Sequence, residues 1–120
     1  EEPMAGRFGN VKRENEGVNS ELITHMYERI VDASSKIADK YGLRTIDNAT
    51  AIQKARALDE FNTEKGGVSI NRDGFHLSLD YGRYLAGLTM FKFFTGKSAT
   101  EVTYAPDDTD PAIIEKLRNI

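Results

Sequence analysis

The feature that most constrains the fold is an apolar stretch late in the chain. Residues 84–94 read Tyr-Leu-Ala-Gly-Leu-Thr-Met-Phe-Lys-Phe-Phe, and Lys92 is the only charged residue among them. The stretch belongs to a predicted helix over residues 79–95, which Gly96 ends. A helix that is apolar nearly all round is normally buried on more than one side. Several faces of this helix must therefore be covered, either by this chain or by a further segment or a second copy.

The region before this helix alternates helix and strand, which is typical of α/β proteins. Apolar residues recur at three- and four-residue steps from a cap at Asn19 or Ser20 to Tyr41, and Gly42 then stops a long amphipathic helix. The short β-branched segment 43–47 follows directly and is predicted to be a strand. A helix that leads into a strand through one Gly is half of a βαβ unit, so we predict an α/β fold.

The remaining elements are shorter. Residues 1–18 and 59–67 are predicted loops, 51–58 a helix with Ile52 and Ala55 facing inward, and 68–70 a possible extended piece. Ser78 or Asp80 can cap helix 79–95. Asp110-Pro111 opens a last helix, because Asp is a good cap and Pro fits the first helical position.

Composition limits the function further. The chain of 120 residues is at most one domain, and 16 Lys and Arg against 19 Asp and Glu give a net charge of −3. Without a basic cluster, nucleic-acid binding is not expected. The absence of Cys excludes disulfides and thiolate metal sites. No apolar run is long enough to span a membrane. The chain starts without Met, so we expect processing or a longer parent protein.

Asp73 and His76 are the best candidates for chemistry. They lie in Asn-Arg-Asp-Gly-Phe-His-Leu-Ser, residues 71–78, on a predicted Gly-containing turn just ahead of helix 79–95. An Asp three residues before a His can fold back and accept a hydrogen bond from the imidazole. The oriented ring can then act as a general base toward a serine hydroxyl. The structural alternative is that Asp73 begins an Asp-Gly turn and His76 is a polar residue near a helix start.

The same residues resemble the last sequence block of the SGNH (GDSL-type) esterases and lipases. Residues 73–78, 82–88 and 94–97 are similar to the C-terminal region of a bacterial branch of that superfamily, as is 50–56. Members of this branch often carry only the description of a domain of unknown function. The resemblance covers roughly residues 20–100. It implies the C-terminal part of a three-layer, flavodoxin-like domain with a parallel sheet, in which this segment is mostly helical with one or two short strands.

The resemblance also implies an activity, namely hydrolysis of small esters, such as acetyl groups on carbohydrate, through a Ser-His-Asp triad without metal or other cofactor. On matching positions, His76 is the base and Asp73 its orienting partner. No serine of the chain stands in a Gly-Asp-Ser, Gly-Asn-Ser or Gly-x-Ser-x-Gly setting; the serines are Ser20, Ser34, Ser35, Ser69, Ser78 and Ser98. We therefore expect the chain to be the C-terminal half of an enzyme and inactive alone. The residues themselves leave the location unknown, and export to the periplasm or outside the cell is suggested by the resemblance only.

Other motifs have simpler structural explanations. His25 lies on a polar face of the first helix and is expected to be solvated. Gly96-Lys97-Ser98 lacks the upstream Gly and the strand of a phosphate loop, so nucleotide binding is not expected. Asp107, Asp108 and Asp110 lack the Gly and the distal Glu of a calcium loop, and helix capping explains Asp110. Asn48-Ala49-Thr50 is a glycosylation sequon in which Thr50 is expected to cap a helix.

Two functions from different classes follow from the sequence. The first is the base-and-orienter segment of a serine esterase, acting on a small ester or an acylated carbohydrate. The second is a non-catalytic helical interaction module, in which helix 79–95 docks on a partner and Asp73 and His76 are incidental. In either case the missing N-terminal half or a second copy is expected to pack on helix 79–95. A strand followed by a Gly-x-Ser turn upstream of Glu1 would favour the esterase.

Overall fold

The computed structural model describes residues 20–73 and 76–120, with side chains from residue 23 onward. Four α-helices are present: α1 (Ser20–Tyr41), α2 (Asn48–Arg56), α3 (Tyr81–Thr95) and α4 (Pro111–Arg118). Short 3-10 helices occupy Asp59–Phe61, Thr63–Lys65 and Ala99–Glu101. The predicted loop over residues 1–18, the cap at Asn19 and the Gly74 turn lie outside the described residues.

The prediction of an α/β fold with a parallel sheet is wrong. The described part of the chain is mostly helical and has neither a strand nor a sheet. Its β-type pairing is limited to one isolated antiparallel bridge between Asn71 and Leu77. The described residues therefore form a helical arrangement, and the implied three-layer architecture is not what positions the candidate site.

The predicted strand at residues 43–47 is wrong. The segment connects α1 to α2, and groups of Ile46 and Asp47 accept hydrogen bonds from the first turn of α2. The carbonyl of Ile46 accepts a hydrogen bond from the Asn48 N–H at 2.9 Å, and the carboxylate of Asp47 accepts one from the Thr50 N–H at 2.9 Å. β-branched residues favour extended backbone, but a strand also needs a neighbouring strand to pair with. Here local composition indicated extension, and no pairing strand is present in the described residues.

The possible extended piece at residues 68–70 is not part of a strand in the described residues. Val68 donates its N–H to the Glu60 carbonyl at 2.8 Å, whereas the Ile70 carbonyl accepts from the Ser78 N–H at 2.8 Å. The backbone groups of this segment therefore bond to two unrelated parts of the chain, which cannot build a ladder.

The helix ends follow the predicted capping residues closely. Gly42 and Gly96 adopt φ values of +62° and +68°, the left-handed conformation that Gly reaches without a steric penalty. Asp110 caps α4 by accepting the Ala112 N–H at 2.8 Å, ahead of Pro111. The expected cap at Thr50 is wrong. Asp47 caps α2 instead, so this helix begins earlier than predicted, at Asn48.

The core is built around the first half of α3, which contacts both α2 and α4. The buried apolar side chains come from these three helices and from the segments between them: Ala51, Ile52, Ala55, Phe61, Ile70, Tyr81, Tyr84, Leu85, Leu88, Ala99, Ile114 and Leu117. Ile52 and Ala55 face inward as predicted. The core thus places α3, and the residues directly before it, in a fixed position.

The second half of α3 and most of α1 lie outside this core. Met90 is 45 % exposed and Phe94 is 72 % exposed. α1 packs on α2, with a hydrogen bond of 3.0 Å between the hydroxyls of Tyr27 and Thr50. None of its described side chains is buried. Among the described residues, no helix is long and apolar enough to cross a membrane.

Candidate functional site

The candidate site lies on a loop whose two ends are buried. Ile70 is 2 % exposed and Ser78 is 8 % exposed. Two backbone hydrogen bonds close the loop, one from the Ser78 N–H to the Ile70 carbonyl at 2.8 Å and one from the Arg72 N–H to the His76 carbonyl at 3.0 Å. The described residues that these bonds join are therefore held at a fixed place on the surface of the core.

Close packing against the first turn of α3 secures the loop. The Gly82 N–H donates to the Ser78 hydroxyl at 2.9 Å, and the Asp80 carboxylate accepts the Tyr81 N–H at 2.6 Å. Both predicted caps, Ser78 and Asp80, are thus used. A β-carbon at Gly82 would lie only 2.6 Å from the Ile70 carbonyl oxygen. Gly82 is therefore required for the helix to approach the loop this closely.

Asp73 and His76 meet on this loop. One carboxylate oxygen of Asp73 (Oδ1) lies 2.7 Å from the backbone nitrogen of His76. The other (Oδ2) lies 2.7 Å from Nδ1 of the imidazole, which confirms the contact predicted from the spacing. The His76 side chain is 49 % exposed and that of Asp73 is 38 % exposed. The pair therefore combines a fixed geometry with access from solvent.

The pairing selects one tautomer of the neutral ring. An ionised carboxylate can only accept hydrogen bonds, so Nδ1 of His76 carries the proton that faces Asp73. The other ring nitrogen, Nε2, then has the lone pair of a base. This is the arrangement in which an Asp orients a His for proton transfer. The catalytic role of the two residues stays a prediction.

Three serines before and after α3 accept local backbone hydrogen bonds. Ser69 accepts the Asn71 N–H at 3.0 Å, Ser78 accepts the Gly82 N–H, and Ser98 accepts the Thr100 N–H at 3.3 Å. Ser34 and Ser35 lie exposed on α1. These hydroxyls fit structural roles, as the absence of a nucleophile motif suggested.

Sequence reasoning assigned no role to Arg56 and Asn71, which contact the site. The guanidinium of Arg56 donates to the Asn71 side-chain oxygen at 2.8 Å, and the Asn71 amide donates to the His76 carbonyl at 3.2 Å. Arg56 belongs to α2, and Asn71 opens the loop. A contact between residues 15 positions apart has no signature in local spacing, so nothing in one sequence could have revealed it.

The other motifs are accounted for as parts of the fold. His25 lies exposed on α1, and Gly96 ends α3. Asp110 caps α4, while Asp108 adopts a left-handed φ of 57° in the preceding turn. Thr50 lies within the first turn of α2 and does not cap it. We therefore propose no ligand at these residues.

A cavity of about 220 Å³ lies between α2, α3 and the end of α4. Leu85, Leu88 and Leu117 line its floor, and Lys54 and Lys92 are also among its lining residues. No described residue of the loop 70–78 lines it. This cavity is therefore separate from the Asp73–His76 pair.

The described residues thus define a small helical protein with a solvent-accessible Asp–His pair on a braced loop. A family model described as a domain of unknown function (DUF4886) matches residues 10–118. The chain belongs to this family. No curated protein and no solved structure matches it. The family description names no activity.

Proposed function

We propose that this chain supplies the base and its orienting carboxylate to a serine esterase related to the SGNH hydrolases. His76 is the general base and Asp73 orients it. The observation that carries the proposal is the 2.7 Å contact between Oδ2 of Asp73 and Nδ1 of His76 on an exposed, anchored loop. The nucleophilic serine and the oxyanion donors come from polypeptide outside this chain. The proposal rests on this local geometry and on the resemblance of residues 71–78, and it requires no sheet in this segment.

The chemistry follows the general triad mechanism. Nε2 of His76 takes the proton of a serine hydroxyl as the serine oxygen attacks the acyl carbonyl. The protonated ring then gives that proton to the departing alcohol, leaving an acyl-enzyme. Water attacks the acyl group by the same route, and its proton passes through His76 back to the serine. Asp73 stays ionised throughout and stabilises the imidazolium that forms twice in each cycle.

The substrate is proposed to be a small ester, such as an acetyl group on carbohydrate. This substrate class comes from the resemblance, because the acyl pocket would be built mostly by polypeptide outside the chain. The side chains of His76 and Asp73 are 49 % and 38 % exposed in this chain, which leaves room for an ester carried on a bulky alcohol. Hydrolysis of acetylated carbohydrate can therefore be compared directly with that of a small activated acetyl ester.

The deciding experiment uses the complete gene product that contains this chain. Hydrolysis of an activated acetyl ester is measured for the wild type, for His76→Ala and for Asp73→Asn. We expect His76→Ala to lower turnover by about three to six orders of magnitude. Asp73→Asn is expected to cost as much or less, because it disturbs the tautomer without deleting the ring. The 120-residue chain alone is expected to give no hydrolysis above background.

His25→Ala is the matched control, since His25 is the only other His and lies exposed on α1. We expect it to leave turnover unchanged. Loss of activity on treatment with a serine-directed phosphonate would support the nucleophile assignment. An active gene product that is indifferent to His76→Ala would contradict the proposal. So would activity of the isolated chain that survives the phosphonate.

A second candidate function is supported by the exposed half of α3. Met90 and Phe94 present large apolar side chains to solvent in the described residues. Exposed apolar patches of more than a few hundred Å² usually mark an interface. In this alternative the chain is an interaction module that docks through residues 79–95, and the Asp73–His76 pair only shapes the loop. The His76→Ala measurement separates the two functions.

A further inference from the structure

The main chain of His76 is fixed at both of its polar groups. Its N–H donates to Oδ1 of Asp73 at 2.7 Å. Its carbonyl accepts from the Arg72 N–H at 3.0 Å and from the Asn71 side-chain amide at 3.2 Å. The imidazole can pair with Asp73 only if this main chain keeps its position, because the ring turns about bonds that start at the backbone. The carbonyl contacts therefore bear on the dyad.

The orientation of the Asn71 amide is determined by its neighbours. The Arg56 guanidinium can only donate hydrogen bonds, so the Asn71 oxygen must face it. The amide nitrogen then faces the His76 carbonyl, which can only accept. Each neighbour accordingly selects the same orientation of the amide. The backbone N–H of Asn71 donates a hydrogen bond to the Ser69 hydroxyl at 3.0 Å.

Arg56 connects this amide to the core. It lies one residue after Ala55, which is fully buried in α2. Burial lowers the pKa of Arg56 from its ordinary value, and the side chain has none of the ion pairs found among the described residues. Its described hydrogen bonds go to Asn71 at 2.8 Å and to Gln53 at 3.4 Å. The shorter of these two hydrogen bonds therefore connects Arg56 to Asn71 at the start of the loop.

We propose that Arg56 and Asn71 are positioning residues for the Asp73–His76 pair. Arg56 sets the Asn71 amide, and the amide sets the His76 carbonyl, so α2 fixes the direction of the imidazole. The catalytic consequence rests on the function proposed above, whereas the structural coupling does not. A displacement of about 1 Å in a catalytic group can cost roughly 100-fold in rate. We call the contacts from Arg56 to Asn71 and from Asn71 to the His76 carbonyl the brace. Loss of the brace should therefore lower kcat and leave KM nearly unchanged.

Four variants test the brace. Arg56→Met keeps the aliphatic length of the side chain and removes its donors. Asn71→Asp keeps an acceptor for Arg56 and removes the donor to His76. Arg56→Lys restores a cationic donor without the planar guanidinium, so it should rescue in part. Lys54→Met is the matched control, because Lys54 is an exposed cation on the same helix with no described contact to the loop.

The first readout is the tautomer of His76 in the 120-residue chain. Long-range NMR correlations between the carbon-bound ring protons and the two ring nitrogens report which nitrogen carries the proton. They are recorded at a pH well above 7, where an imidazole is neutral. His76→Ala assigns the signals against those of His25. We expect a dominant Nδ1–H form in the wild type and in Lys54→Met. Arg56→Met and Asn71→Asp should shift His76 toward a mixture of tautomers, and Arg56→Lys should lie between.

Thermal unfolding of each variant shows that the chain is still folded, and Asn71→Asp remains informative if Arg56→Met fails to fold. In the complete gene product, kcat of Arg56→Met and Asn71→Asp should fall about 10- to 100-fold with little change in KM. Folded Arg56→Met and Asn71→Asp proteins that keep the wild-type tautomer would overturn the brace. If the tautomer responds to these variants but turnover ignores His76→Ala, the brace stands and the esterase proposal fails.

Discussion

At the scale of single residues, two glycines of α3 have opposite roles. A β-carbon at Gly82 would lie 2.6 Å from the Ile70 carbonyl oxygen, whereas a β-carbon at Gly87 would meet nothing within 4 Å. We expect Gly82→Ala to destabilise the fold by about 1–3 kcal/mol, as overpacking does. Gly87→Ala should stabilise it by roughly 0.5–1 kcal/mol, because Ala restricts the unfolded chain. Urea unfolding of both variants checks the contrast, and equal effects would contradict the close approach at Gly82.

A second residue-scale prediction concerns Glu60, whose carboxylate bonds to Lys116. The hydrogen bond from Lys116, a backbone hydrogen bond and the charge of Lys116 lower the pKa of Glu60 from its ordinary value. Because the folded pKa is the lower one, the stabilisation is present above the unfolded pKa of about 4.3. It is lost as the pH falls through the folded pKa. Glu60→Gln should therefore melt lower than the wild type at pH 7, and the difference should vanish in acid.

Thermal melting between pH 2 and pH 7 measures this difference. Asp32→Asn is the control, since Asp32 forms an exposed pair with Lys36 one turn away on α1. Exposed pairs of this kind contribute little, so its melting should follow the wild type across the range. A difference for Glu60→Gln that is the same at every pH would show that the effect does not come from ionisation.

At the scale of helices and their connections, α3 divides into a buried half and an exposed half. Met90 and Phe94 are exposed, whereas Leu85 and Leu88 are buried. We expect the wild type to bind an apolar dye or to self-associate in sedimentation experiments. Phe94→Ser should reduce both, while Val68→Ser, at another exposed apolar position, should not. A wild-type protein that is monomeric and does not bind the dye would contradict the hypothesis that the exposed half of α3 is an interface.

Local signals predicted the helices well and the strand at residues 43–47 wrongly. Two helices end where expected, at Gly42 and Gly96, and one begins where expected, at Asp110. A capping residue acts on the adjacent turn, so a few neighbouring residues are enough to predict it. The strand at 43–47 could not be decided locally, since a strand exists only through a partner elsewhere in the chain. The contact between Asp73 and His76, three residues apart, was predicted from their spacing, and their catalytic role stays a prediction. The contact between Arg56 and Asn71 arises from tertiary packing and was not predicted.

At the scale of the whole molecule, stability is concentrated in a small core around α3. Leu85 is 2 % exposed and also lines the cavity between α2, α3 and α4. Leu85→Ala should cost about 2–5 kcal/mol, because it removes packed methyl groups and enlarges a space that already exists. Ile37→Ala on α1, where Ile37 is 56 % exposed, should cost less than about 0.5 kcal/mol. Denaturant midpoints test this, and similar losses for both would show that α1 is part of the core.

The bond from the Gly82 N–H to the Ser78 hydroxyl ties the end of the loop to the beginning of α3. We therefore expect fraying of that first turn and loosening of this end of the loop to occur as one opening event. The amide proton of Gly82 exchanges with solvent only while this event lasts. Its exchange rate therefore follows the opening of this junction, so the free energy that holds the end of the loop against α3 can be measured through one backbone proton without any substrate.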